Sequence, residues 1–97
     1  MLFVAICAAK PDSAVVREEN RPAHLAYLAS LGAKVRAGGA LLAPDHRTPI
    51  ASLVVLEAAD EAEVAAMLAE DPYAKAGVFA AVEVKSWRQA VGVPLAG

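Results

Sequence analysis

Leu2–Ala9 is a short apolar run with β-branched Val4 and Ile6, too short for a typical helix, and it predicts a buried first strand. Lys10-Pro11-Asp12-Ser13 stops it with turn-forming residues. From Ala14 to Leu31 the spacing changes to threes and fours, with Leu25, Leu28, Ala29 and Leu31 marking one helical face. Pro22 falls inside this stretch, where a helix-interior proline costs about 3 kcal/mol. The pattern is therefore read as a helical turn or two over 14–20, then a new helix that Pro22 opens through Asn20-Arg21.

Gly32 is placed to stop that helix, and Val35–Leu42 predicts a second strand. It carries Gly38-Gly39, a pair that inside a strand marks a bulge or a close backbone approach. A polar turn over 43–49 leads to a third strand, Ile50–Glu57, whose centre Leu53-Val54-Val55-Leu56 is apolar on both faces. Asp60 and Glu63 have the spacing of a capping box and open a helix carrying Val64, Met67 and Leu68, which Asp71-Pro72 ends. Val78–Trp87 is the last strand, with Val82 and Val84 facing one way and Glu83 and Lys85 the other. Residues 91–97 form a Pro/Gly tail.

The order β-α-β-β-α-β predicts an α+β fold of the ferredoxin-like βαββαβ kind: a four-stranded antiparallel sheet with two helices on one face. Strands this apolar on both faces do not leave the other side wet, so two sheets are expected to pack together in a homodimer. At 97 residues the chain predicts one domain over 1–97. Its 58% hydrophobic content includes 24 alanines, so the core is thin and self-association is favoured. Nine Lys+Arg against eleven Asp+Glu argue against a nucleic-acid partner. Cys7 is the single cysteine and cannot form an internal disulfide. No apolar run approaches the roughly 20 residues of a membrane helix, and Leu2–Ala9 lacks the flanks of a signal peptide. A cytoplasmic protein without a membrane partner is the expectation.

His24 is the informative polar residue. Leu28 and Leu31 lie within about 40° and 20° of it on a helical wheel, so it belongs to the stripe that meets the sheet. Arg21 shares that side, as does Arg17 if the preceding turn is continuous. A lining that turns from apolar to polar in this way describes a pocket at the end of a core. In a helix opened by Pro22, His24 sits in the first turn, where the dipole disfavours the imidazolium. Asp71-Pro72-Tyr73 offers a carboxylate and a phenol. Each of these also has a structural explanation: a half-buried histidine bonded to a carbonyl, and a helix stop with an Asx turn. Asp45-His46-Arg47 reads as a solvated loop, and Cys7, His24, His46 and Asp71 lack the spacing of a metal site.

Arg21-Pro22-Ala23-His24-Leu25-Ala26-Tyr27-Leu28 resembles the R-P-x-H-L-x-x-L segment of the YciI-like (YCII-related) proteins. Ala69-Glu70-Asp71-Pro72-Tyr73-Ala74-Lys75-Ala76-Gly77-Val78 is similar to their A-x-D-P-Y-x-x-A-G-V segment, and Leu2-Phe3-Val4 opens as they do. The resemblance implies a dimeric α+β barrel with a pocket in each subunit and a His–Asp pair, here His24 and Asp71. It also implies lyase or isomerase chemistry on a small cyclic compound without metal or cofactor, of the dehydrochlorinase or muconolactone-isomerase type. In that reading His24 is general base and acid, Asp71 orients it, and Arg21, Tyr73 and Gly39 contact the substrate. The alternative is a non-catalytic dimer that holds a small molecule or docks a partner.

Overall fold

The computed structural model describes residues 1–95; Ala96 and Gly97, the end of the tail, lie outside the described residues. Four strands, β1 (Leu2–Ala9), β2 (Val35–Leu42), β3 (Pro49–Glu57) and β4 (Phe79–Trp87), form one antiparallel sheet in the order β2-β3-β1-β4. Helix α1 (Ala14–Ser30) joins β1 to β2, and α2 (Glu61–Ala69) with the one-turn α3 (Pro72–Lys75) joins β3 to β4. This is the ferredoxin-like α+β arrangement read from the sequence.

Strand alternation sorts the residues of the sheet. Phe3, Ala5 and Cys7 stand opposite Leu56, Val54 and Ser52, and Phe3, Ala5, Cys7, Val54 and Leu56 belong to the buried core. Ala58, and Val64, Met67 and Leu68 of α2, complete that core. Val4 and Ile6, paired with Val55 and Leu53, lie on the other face of the sheet, together with Glu83 and Lys85 of β4. The Asp60 carboxylate accepts from Glu63 N–H at 2.9 Å, as a capping box requires, while the Glu63 carboxylate reaches Ala59 N–H at 3.1 Å.

Two expectations are corrected. Helix α1 does not divide at Pro22: it is one helix of 17 residues with the proline inside. Pro22 leaves the Glu18 carbonyl without its helical donor, but it lies on the exposed side, where water can serve that carbonyl. Two side chains from the same helix face, Arg17 and His24, are bonded to Ser52 and Asp71 on either side of the proline, which holds the two halves in line. His24 is therefore the eleventh helical residue, well beyond the first turn, and the dipole has no purchase on it. The glycine pair is not a bulge either. Gly38 and Gly39 pair regularly with Val54 and Leu53, and the register shifts fall to either side, between Val35 and Ala37 and between Leu41 and Leu42. A Cβ on Gly38 would find only ordinary contacts, 3.8 Å to the Leu53 carbonyl and 4.0 Å to Val54, and one on Gly39 would meet nothing within 4 Å.

The polar connection between β2 and β3 is organised by Asp45, whose carboxylate accepts from the N–H groups of Arg47 and Thr48, both at 2.9 Å, and from the Thr48 hydroxyl. His46 adopts a left-handed φ of 62° there. No helix among the described residues is long and apolar enough to cross a membrane.

Candidate active site

Asp71 ends the second helical segment and begins the third. Its Oδ1 accepts the Tyr73 N–H at 2.9 Å, an N-cap bond made available because Pro72 occupies the first helical position. Capping fixes the carboxylate at the end of α3, against the middle of α1. There His24 Nδ1 lies 2.8 Å from Oδ1 and 3.0 Å from Oδ2. His24 is 7% and Asp71 2% exposed. An ionised carboxylate can only accept, so Nδ1 carries the proton and Nε2 is left as the basic nitrogen. A histidine oriented in this way can take a proton through Nε2 and have the resulting imidazolium stabilised by Asp71.

The Tyr73 ring fixes the imidazole from its flat side. The two rings are stacked, 3.8 Å between centroids and 7° from parallel. Phe79 meets Tyr73 edge-on at 6.1 Å, so the tyrosine is itself held by the first residue of β4. Tyr27, one turn beyond His24, donates its hydroxyl to the Met67 carbonyl at 2.6 Å and ties α1 to α2. These contacts leave the His24 ring little freedom.

His24 lines a hollow of about 220 Å³ between α1 and the sheet. Arg21, Tyr73 and Gly39 line the same hollow, so the structure brings together the three residues expected to contact substrate and the histidine. Leu25, Leu28 and Val54 supply its apolar side. Arg17 and Ser52 also line it; the reading of the sequence placed Arg17 on this side only if the helix were continuous, gave it no role, and did not point to Ser52. Arg17 Nη2 donates to Ser52 Oγ at 3.2 Å, and its guanidinium carbon lies 5.2 Å from the Tyr73 ring centroid. A signal for both was present. Arg17 lies seven residues before His24, two turns along the same face of an unbroken helix, and Ser52 is a polar residue on the inward face of β3.

Cys7 lies in the core beneath the pair. Burial, aided by the negative charge of Asp71, pushes its thiol up to about 11, so it is protonated near neutrality and unsuited to nucleophilic attack. Asp45 and His46 are absent from the lining of the hollow. Among the described residues no group of three or more His, Cys, Asp or Glu side chains is placed to hold a metal ion.

The YCII-related domain model matches residues 1–88. This chain belongs to the YCII-related family. Among solved structures, the YCII-related protein is similar to 5-chloro-2-hydroxyhydroquinone dehydrochlorinase (TftG) from Burkholderia phenoliruptrix AC1100, in complex with 2,5-dihydroxybenzoquinone. The two are 37% identical, over 93% of this chain and 96% of that one, with a TM-score of 0.83. A protein from Arabidopsis thaliana is 17% identical over 96% of this chain and 98% of that one, with a TM-score of 0.49. No curated protein matches the chain.

Proposed function

We propose that this YCII-related protein is a small-molecule lyase that eliminates a hydrogen halide from a hydroxylated ring. The observation that carries the reading is the buried Asp71–His24 pair beside a hollow wide enough for one small ring. In the keto form of the ring a hydroxyl proton has moved to the carbon that bears the halogen. His24 Nε2 then takes a second hydroxyl proton, the halide leaves with the electrons of its bond to carbon, and the new ring double bond completes a quinone. The proton then passes from His24 to water. Nothing is oxidised or reduced overall, so the step asks for no redox cofactor. Asp71 orients the imidazole and stabilises its charged form, Tyr73 holds it flat, and Arg21 and the Gly39 backbone contact the ligand at the rim. The similarity to a dehydrochlorinase supports this class of reaction.

A second copy of the chain completes the molecule in this reading, by covering the sheet face on which Val4, Ile6 and Leu53 are left partly exposed. Light scattering that finds a monomer at micromolar concentration contradicts it.

The chemical test is chloride release from a chlorinated hydroxyhydroquinone, followed anaerobically by ion chromatography. Wild type is expected to release chloride in step with quinone formation. His24→Asn is expected to slow the reaction by about 10²–10⁴-fold, the usual range for losing a general base. A wild type that releases none, or a His24→Asn variant as fast as wild type, overturns the proposal.

A further inference from the structure

Two arginines line the hollow, and they are not equivalent. Arg21 is exposed at its mouth. Arg17 is partly buried: its Nη2 donates to Ser52, but its Nη1 is buried with no partner in the protein. A buried, charged donor without an acceptor is unfavourable unless something else supplies the acceptor. No carboxylate among the described residues lines this hollow; its ionisable side chains are Arg17, Arg21, His24 and Tyr73. Asp71, the carboxylate nearest the site, is already engaged by His24 Nδ1 and Tyr73 N–H.

We infer that the site takes its ligand as an anion, and that Arg17 rather than Arg21 holds the negative oxygen through Nη1. The ligand class is a planar ring bearing a phenolate or enolate oxygen. The inference rests on the ligand-site reading above and specifies it. Three contacts prepare the guanidinium for this role. The Ser52 bond fixes one edge, the Tyr73 ring lies against it, and burial removes the water that would otherwise weaken the interaction. The organic part of the ligand then meets Leu25, Leu28 and Val54 on the apolar side of the same hollow. Arg17 is in this view a binding and specificity-determining residue, and Arg21 adds only a screened attraction from the rim.

The test uses two probes of similar shape: 2,5-dihydroxybenzoquinone, which ionises at neutral pH, and its uncharged dimethyl ether. Both are titrated calorimetrically into wild type, Arg17→Gln, Arg17→Lys and Arg21→Gln. Wild type is expected to prefer the anion. Arg17→Gln should lose on the order of 30-fold in affinity for the anion, and little for the ether, as removal of a buried charged hydrogen bond requires. Arg17→Lys should recover part of the loss, because it keeps the charge but not the fork. Arg21→Gln should lose only about threefold, and less in high salt. Should Arg17→Gln fail to fold, Ser52→Ala keeps the charge while releasing the guanidinium. It should weaken the anion alone, and unchanged binding there overturns the inference.

Equal affinity of wild type for anion and ether overturns the inference, as does an Arg21→Gln loss larger than that of Arg17→Gln. If wild type releases chloride but shows no preference for the anion, only the role of Arg17 falls. If Arg17-dependent anion binding persists without any chloride release, the elimination chemistry falls and the anion site stands. Binding of neither probe overturns both.

Discussion

The two long helices lie on one face of the sheet and use it in opposite ways. Helix α2 buries Val64, Met67 and Leu68 against Phe3, Ala5 and Leu56, and the space between is closed. In α1, nearly twice as long, His24 is the one buried residue. Leu25, on the apolar stripe, is 45% exposed, and with Leu28 it borders the hollow rather than filling it. What fastens α1 is polar: His24 to Asp71, Arg17 to Ser52, Tyr27 to the Met67 carbonyl. One half of the layer is dry and contributes packing; the other is held off the sheet by hydrogen bonds, and the gap is the site. A small domain that encloses a binding hollow gives up packing there, and it restores attachment with directional contacts.

The sharpest way to break this contrast is Asp71→Ala. It strips the buried His24 of its partner and the Tyr73 N–H of its cap together. A loss of about 3–5 kcal/mol is expected in urea unfolding, with chloride release abolished. A stability change under 1 kcal/mol would mean that α1 is held by packing after all.

Next comes a paired truncation. Leu68→Ala in the dry half is expected to destabilise by about 2–4 kcal/mol and to leave binding of 2,5-dihydroxybenzoquinone nearly unaltered. Leu28→Ala beside the hollow is expected to cost about 1 kcal/mol or less, yet to weaken that binding. Equal losses of stability would erase the distinction between the two halves.

The smallest effect concerns Cys7, on the floor shared by both. Its pKa is raised in the folded state, from an ordinary value of 9.0 to about 11, so the folded protein holds the thiol proton more tightly than the unfolded chain. The stability this contributes is fully present below pH 9 and is lost as pH rises toward 11. Alkylation at pH 8 is expected to run at least about tenfold slower in the folded protein than in urea. Equal rates would show the thiol to be reachable and the floor open.

Much of this molecule was legible from spacing. The strand and helix order, the Asp60–Glu63 cap and the inward position of His24 each follow from residues close together in the chain. The capping function of Asp71 is equally local, since an Asx–Pro pair states its own geometry. The break at Pro22 was a misreading for the complementary reason. The proline penalty is a local quantity, whereas the bonds that outweigh it run from Arg17 to Ser52 and from His24 to Asp71, across 35 and 47 positions.

The linear order of residues thus determined which elements form, which of their faces are apolar, and which side chains were chemically able to act. The tertiary structure decided that α1 is continuous, that Asp71 meets Nδ1 and so leaves Nε2 basic, and that Arg17 rather than the rim arginine is the one with a buried Nη1 beside the hollow. Those outcomes depend on the distance between an α1 side chain and groups on β3 and α3. Such distances are set by how far the helix stands from the sheet, and periodicity along a chain carries direction but no separation between layers.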